Sequence, residues 1–212
     1  MDVTWHGHAC FRLRGRSAAA VTDPYPPALG PRLKVEADVV TLSHPHENHA
    51  YAAGVGGRPF VVSGPGEYEI AGITVTGVPA YHDDVEGAEL GRNTVFVVDI
   101  DDVRICHLGD LGHKLDEATT EALGTVDVLL VPVGGKKTLQ PAAAAEVVRL
   151  IEPRYVVPMH YSVTGMKAAL GGVDTFLSEM GVAASEPLQK LSLQATSGEV
   201  ETPKVVVLEA RI

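Results

Sequence analysis

At 212 residues, 45% apolar and 21% charged, the chain is sized for one domain, 1–212, whose core needs neither disulfides nor repeats. Seventeen Lys and Arg against 27 Asp and Glu leave a net charge of −10, which argues against nucleic acid or an anionic membrane as the main partner. No apolar run is long enough to span a bilayer, no basic-then-apolar leader opens the sequence, and the two cysteines are expected to stay reduced and buried, so the expectation is a soluble cytoplasmic protein.

The first quarter predicts short strands at 2–5, 10–14 and 18–22, with Arg12, Arg14 and Arg16 alternating along a solvated face. Pro24, Pro26, Pro27 and Pro31 then impose an irregular loop, because each fixes its φ and lacks an N–H donor. A buried strand over 38–42 runs straight into Ser43-His44-Pro45-His46, and further strands are expected at 60–63, 67–70, 73–78, 94–100 and 103–107. The period then changes. Helices are predicted over 116–123, ended by Gly124, over 142–151 after Pro141, and over 174–180 before Gly181. Strands are expected between them at 126–131 and 155–157, and at 191–194 and 205–208 after the last. Strands first, then strands alternating with helices, describe a layered α/β domain.

Nine histidines against one tryptophan are the informative count. His44-Pro45-His46-Glu47-Asn48-His49 begins where an apolar strand stops, a usual position for functional residues. In an extended segment His44 and His46 point the same way, and a following helix would carry His49 to the other side of one pocket. His82, Asp110 and His160 each lie just past an apolar strand, so all can gather at one sheet edge. Imidazole nitrogens with a single carboxylate suit zinc, and also iron or manganese.

These residues, with Thr4-Trp5-His6-Gly7-His8-Ala9-Cys10-Phe11, His107-Leu108-Gly109-Asp110, Val131-Pro132-Val133-Gly134-Gly135 and Pro158-Met159-His160-Tyr161, resemble the metallo-β-lactamase superfamily. Within it the chain is similar to small members of the ascorbate-6-phosphate lactonase group. The resemblance implies a four-layer αβ/βα sandwich of two mixed β-sheets flanked by helices, with metals at one edge of the sheets. It implies His44, His46 and His82 as ligands of a first metal, Asp110 as a bridging carboxylate, and His49 and His160 as ligands of a second. One position departs from the pattern: the superfamily has aspartate before its third histidine, and Asn48 stands there. A neutral amide is a weaker donor, so one firmly held ion and a weakened second site are expected. Glu47 is read as a solvated carboxylate.

Around this core, His8 is either a turn residue or a neighbour of the metals, and His113 is a relay, a rim residue or a solvated helix start. Asp23 is placed to accept a ligand histidine's second N–H. Lys136 and Lys137 either attract an anionic small-molecule substrate or form a solvated turn. His6 and His107 are expected to pack beside strands. The chemistry expected of such a site is attack by metal-activated hydroxide, with Asp110 and Asn48 flanking the reacting centre. A lactone or activated ester places the least demand on the missing carboxylate. A phosphodiester, or ligand binding without turnover, is the alternative.

Overall fold

Two mixed sheets arise from these alternating runs in a computed structural model that describes residues 1–184, 186–194 and 202–212. The first sheet contains β1 (Asp2–Trp5), β2 (Phe11–Arg14), β3 (Ala19–Thr22), β4 (Val39–Thr41) and β5 (Phe60–Val62) in chain order. The second contains β6 (Gly66–Ile70), β7 (Ile73–Tyr81), β8 (Arg92–Ile100), β9 (Val103–His107), β10 (Val128–Pro132) and β11 (Tyr155–Met159). β12 (Leu191–Ser192) joins the first sheet outside β1, and β13 (Lys204–Val205) joins the second beside β11.

Strand direction decides where the site forms. β1 and β3 both run antiparallel to β2, and β3, β4 and β5 are parallel, so β1, β3 and β4 end at the same edge. In the second sheet β7 and β9 both run antiparallel to β8, and β9, β10 and β11 are parallel, so β7, β9, β10 and β11 also share an edge. Loops leaving the carboxyl ends of strands are where α/β folds place ligands, because the backbone is free there to turn toward a common point.

Side chains of alternating strand positions fill the space between the sheets. Trp5, Phe11, Leu13, Ala20 and Val39 from the first sheet belong to one buried cluster with Val75, Val97 and Ile105 from the second. Each fully buried Val or Leu contributes about 1.5–3 kcal/mol of transfer free energy. Val21 and Val40, one residue out of phase, face the other way and meet Tyr25, Leu29, Leu33 and Val35 of the proline-bearing loop. That loop covers the outer face of the first sheet with its own apolar side chains.

The helices form where the capping chemistry predicts. Asp116 accepts from Thr119 N at 2.7 Å to start α1 (Glu117–Leu123), and Gly124 with φ 64° ends it. α2 (Pro141–Ile151) has Pro141 in its first turn and buries Ala144, Ala145, Val147, Val148 and Ile151, a stripe with helical period. Its left-handed C-cap is Glu152, φ 50°, a place more often taken by glycine. α3 spans Asp174–Glu179.

Strand bounds agree with the sequence reading to within a few residues, with two informative differences. β7 runs on to Tyr81, through Pro79, because Val78, Pro79 and Ala80 keep pairing with Val95, Thr94 and Asn93. No helix forms after His46. The segment 47–49 is a tight turn closed by His49 N donating to His46 O at 2.9 Å, and the next helical element is a single 3-10 turn at Ala52–Gly54. Cys10 and Cys106 are free and buried, and burial pushes the Cys106 thiol up to about 12. Among the described residues no helix is long and apolar enough to cross a membrane.

Candidate metal centre

Six of the strands ending at the shared edge lead into polar side chains of one cluster. β1 leads to His8, β3 to Asp23, β4 to Ser43, His44 and His49, β7 to His82, β9 to Asp110 and β11 to His160. All eight are buried, although polar groups are normally left in water unless they are paired or bind an ion. Asp110 stands at the middle. Its Oδ2 lies 3.2 Å from His49 Nε2, 3.3 Å from His82 Nε2 and 3.9 Å from His44 Nε2, and its Oδ1 lies 3.3 Å from His160 Nε2.

Hydrogen bonds behind the ring fix which nitrogens face inward. Asp23 accepts from Ser43 N at 2.8 Å, Ser43 Oγ at 2.5 Å and His49 Nδ1 at 2.9 Å. With its proton given to Asp23, Ser43 Oγ is left to accept from His44 Nδ1 at 2.9 Å. Both histidines therefore hold a proton on Nδ1 and turn Nε2 toward Asp110, the nitrogen a cation would take. At 3.2 Å, His49 Nε2 and the Asp110 oxygen need either a proton or a cation between them. On the far side, Asn93 donates to Leu108 O at 2.9 Å and accepts from Asp110 N at 3.0 Å, which holds the loop after β9.

The electrostatics follow from this crowding. Burial alone raises the Asp110 carboxyl, but the imidazoles of His160 and His49 override it and hold it well below the usual carboxylate range. Burial pulls His49 down, and the flanking Asp110 and Asp23 outweigh it, lifting the imidazole to about 10. His44 goes the other way, to about 4, because burial dominates and His49 adds to it. One carboxylate cannot neutralise four protonated rings, whereas a divalent cation satisfies neutral nitrogens and carboxylate together. His44 Nε2, Asp110 Oδ1, His82 Nδ1, His160 Nδ1 and His8 Nδ1 are all buried without a hydrogen-bond partner. A cluster of buried polar atoms left unpaired, with His44 Nε2 and Asp110 Oδ1 at its centre, fits a metal centre. Among the described residues three groups have ligand atoms within 4.8 Å of one another: His44, His82 and Asp110; His8, His49 and His160; and Asp23, His44 and His49.

The beta-lactamase superfamily domain family matches residues 2–160. The chain belongs to the metallo-β-lactamase superfamily. It is 32% identical over 191 residues to the UPF0173 metal-dependent hydrolase of Thermococcus onnurineus, covering 76% of this chain and 85% of that protein. A metal-dependent hydrolase of Methanoculleus marisnigri is 33% identical over 186 residues, covering 76% and 81%. A crystal structure from Thermotoga maritima, assigned as a Zn-dependent hydrolase of the same superfamily, has 39% identity and a TM-score of 0.78 over 98% of this chain and 97% of that one.

In this metallo-β-lactamase-superfamily chain the predicted residues do not all converge. His44, His49, His82, Asp110 and His160 meet in the ring, and Asp23 braces it from behind. His46 does not join it: it is exposed, its ring centroid is 6.0 Å from that of His44, and its Nδ1 accepts from Asn48 N at 3.2 Å. The period-two argument required extended chain, but β4 ends at Thr41 and residues 43–45 bend. Asn48 is half-buried on the cleft wall, and Glu47 is exposed at its mouth. His113 lies outside the cleft, where Nε2 accepts from Tyr81 N at 3.1 Å and Nδ1 donates to Lys114 O at 2.7 Å. His107 is packed as expected, donating to Ala9 O at 2.9 Å. Lys136 and Lys137 line the cleft, and Lys136 Nζ is tied to the Ala169 carbonyl.

Sequence reasoning missed Ser43, Asn93 and Arg92, a third cation on the cleft wall. It passed over Gly112 and quoted Gly134 only within a motif; at these positions a Cβ would fall on the carbonyl oxygens of His82 and His160 respectively. These glycines let the loops press directly against ligand-bearing backbone. Gly134→Ala is expected to push His160 out of place, costing about 1–3 kcal/mol of stability as an overpacked site. Thermal unfolding together with metal content measures both effects. A variant matching the parent in both would show that the loop yields freely.

Proposed function

We propose that the protein is a metal-dependent hydrolase of a small anionic lactone or other activated ester. The observation carrying this reading is the Asp110 carboxylate ringed by His44, His49, His82 and His160 inside a cleft of about 690 Å³, within the size range of small-molecule sites. Zinc suits these donors best, with manganese or iron as alternatives. A bound divalent cation supplies Lewis acidity and a water acidic enough to give hydroxide near pH 7.

The chain's own residues do the remaining work. His44, His82 and Asp110 are the nearest ligand set, and His46 sits at the mouth beside them. Asp23 and Ser43 keep His44 and His49 in the tautomer that faces inward. Arg92, Lys136 and Lys137 line the entrance with positive charge, which suits an anionic substrate. Asn48 offers a hydrogen bond but takes no proton, so the leaving group must depart with little help. A ring ester meets that condition, because its leaving oxygen stays tethered. The same three cations favour a phosphodiester as the second reading.

Protein stripped with EDTA and reloaded with zinc, screened against lactones, aryl esters and phosphodiesters, tests the proposal. The expected result is turnover of a ring ester that EDTA abolishes, zinc restores and His44→Ala removes. Activity that survives both EDTA and His44→Ala overturns it. A panel that stays silent, with Asn48→Asp silent too, assigns the protein to ligand binding without turnover. For the substrate found, Arg92→Ala is expected to raise KM about fivefold with kcat little changed if the substrate is anionic, as removal of a rim charge worth about 1 kcal/mol would do. An uncharged analogue should show no such change.

A further inference from the structure

We propose that His8 completes a second cation site with His49, His160 and Asp110, occupying the coordination place that Asn48 leaves unfilled. The inference rests on the metal-dependent reading of the same cleft and assigns it a ligand set. Ring nitrogens of His8, His49 and His160 lie within 4.8 Å of one another, and all three residues are buried. His8 is only 4% exposed, and its ring forms a triangle with the other two, with centroids 4.5 Å from His49 and 4.3 Å from His160, which are 5.7 Å from each other. Its Nδ1 has no hydrogen-bond partner, while His160 turns Nε2 to Asp110 Oδ1 at 3.3 Å. A buried imidazole aimed at two others, with nothing to bond, costs free energy unless an ion joins them.

The backbone holds His8 in that position. Its carbonyl accepts from Trp5 Nε1 at 3.0 Å and from His160 N at 3.0 Å. The turn that carries it is closed by Cys10 N donating to Gly7 O at 3.0 Å and His6 N donating to Cys10 O at 2.8 Å. Asp110 presents its two oxygens to different partners, Oδ2 to His44, His49 and His82, and Oδ1 to His160. A carboxylate so placed can serve an ion on each side. The competing cluster of Asp23, His44 and His49 is excluded as the second site, because the Asp23 oxygens are spent on Ser43 N, Ser43 Oγ and His49 Nδ1. Asn48 is half-buried on the cleft wall and is neutral. Three imidazoles and one shared carboxylate favour a borderline ion such as Zn²⁺ or Co²⁺ over Mg²⁺.

Titration of the metal-free full chain with Co²⁺, read by visible absorption and by elemental analysis for stoichiometry, tests the assignment. The parent is expected to take two equivalents, the second more weakly. His8→Asn should take one tightly, with its second dissociation constant raised at least about 100-fold, and Asn48→Ala should still take two. Asparagine tolerates the left-handed backbone at position 8 (φ 53°), so the fold is expected to survive; thermal unfolding of the metal-free variant checks this. Anomalous diffraction from zinc-soaked parent crystals gives a reading free of any variant, with a second peak expected against the His8 ring. Two unchanged equivalents in His8→Asn, or a second peak at Asn48 with none at His8, overturn the proposal. A parent that binds one ion and loses hydrolysis to EDTA overturns the His8 assignment alone, whereas EDTA-resistant hydrolysis overturns the proposed function itself.

Discussion

Asp110→Asn is expected to cut hydrolysis by about 10²–10⁴-fold and to release tightly bound metal. The magnitude follows from removing one partner of a buried charged cluster, about 3–5 kcal/mol, at 1.36 kcal/mol per factor of ten. Asp110 is 5% exposed and is the carboxylate that all four inward-facing nitrogens address. An amide of the same shape supplies an oxygen without charge and turns an N–H₂ toward an imidazole or an ion. Steady-state rates with zinc-loaded protein, elemental analysis and thermal unfolding in EDTA separate the causes. A folded variant that keeps its metal and its rate would assign Asp110 to architecture alone.

Asp23→Ala is expected to lower metal affinity by about 10–100-fold and stability by about 3–5 kcal/mol. Asp23 is fully buried and satisfies three donors, and through Ser43 it reaches both His44 and His49. Its removal leaves a buried backbone N–H unpaired and frees two imidazoles to turn over. Asp23→Asn should be milder: it keeps one acceptor oxygen and tolerates the backbone at φ 38°. Chelator competition measures the affinity, and denaturant unfolding of metal-free protein measures the stability. Equal affinities in Asp23→Ala and the parent would show that His44 and His49 need no orienting partner.

The strands were legible because their burial is local. Val39-Val40-Thr41 is apolar and β-branched, and its end announces the histidine segment whatever the rest of the chain does. For the same reason His82, Asp110 and His160 could be read as site residues, since each follows a run that can only be a buried strand. Asp23 was legible as a brace because it too follows a strand. Ser43 and Asn93 were not, because their value lies in contacts set by sheet order: Asn93 meets Asp110 across 17 positions, and Ser43 meets Asp23 across 20. His8 stayed ambiguous because its left-handed backbone and orphaned nitrogen have no signature in Gly7-His8-Ala9. His46 lines the cleft yet stands outside the Asp110 ring, for a physical reason. Alternation holds only while a chain stays extended, and Pro45 sits within the bend that ends it.

The ring draws on both sheets: His8, Asp23, His44 and His49 come from the first, and His82, Asp110 and His160 from the second. Any ion bound there would act as a rivet at one edge of two sheets that already share an apolar core. Opening that edge would require the rivet to be lost first. Metal supply then sets more than reaction rate. It sets how long the folded chain endures heat and proteases, since a ligand held at 1,000 times its dissociation constant adds about 4 kcal/mol to the folded state.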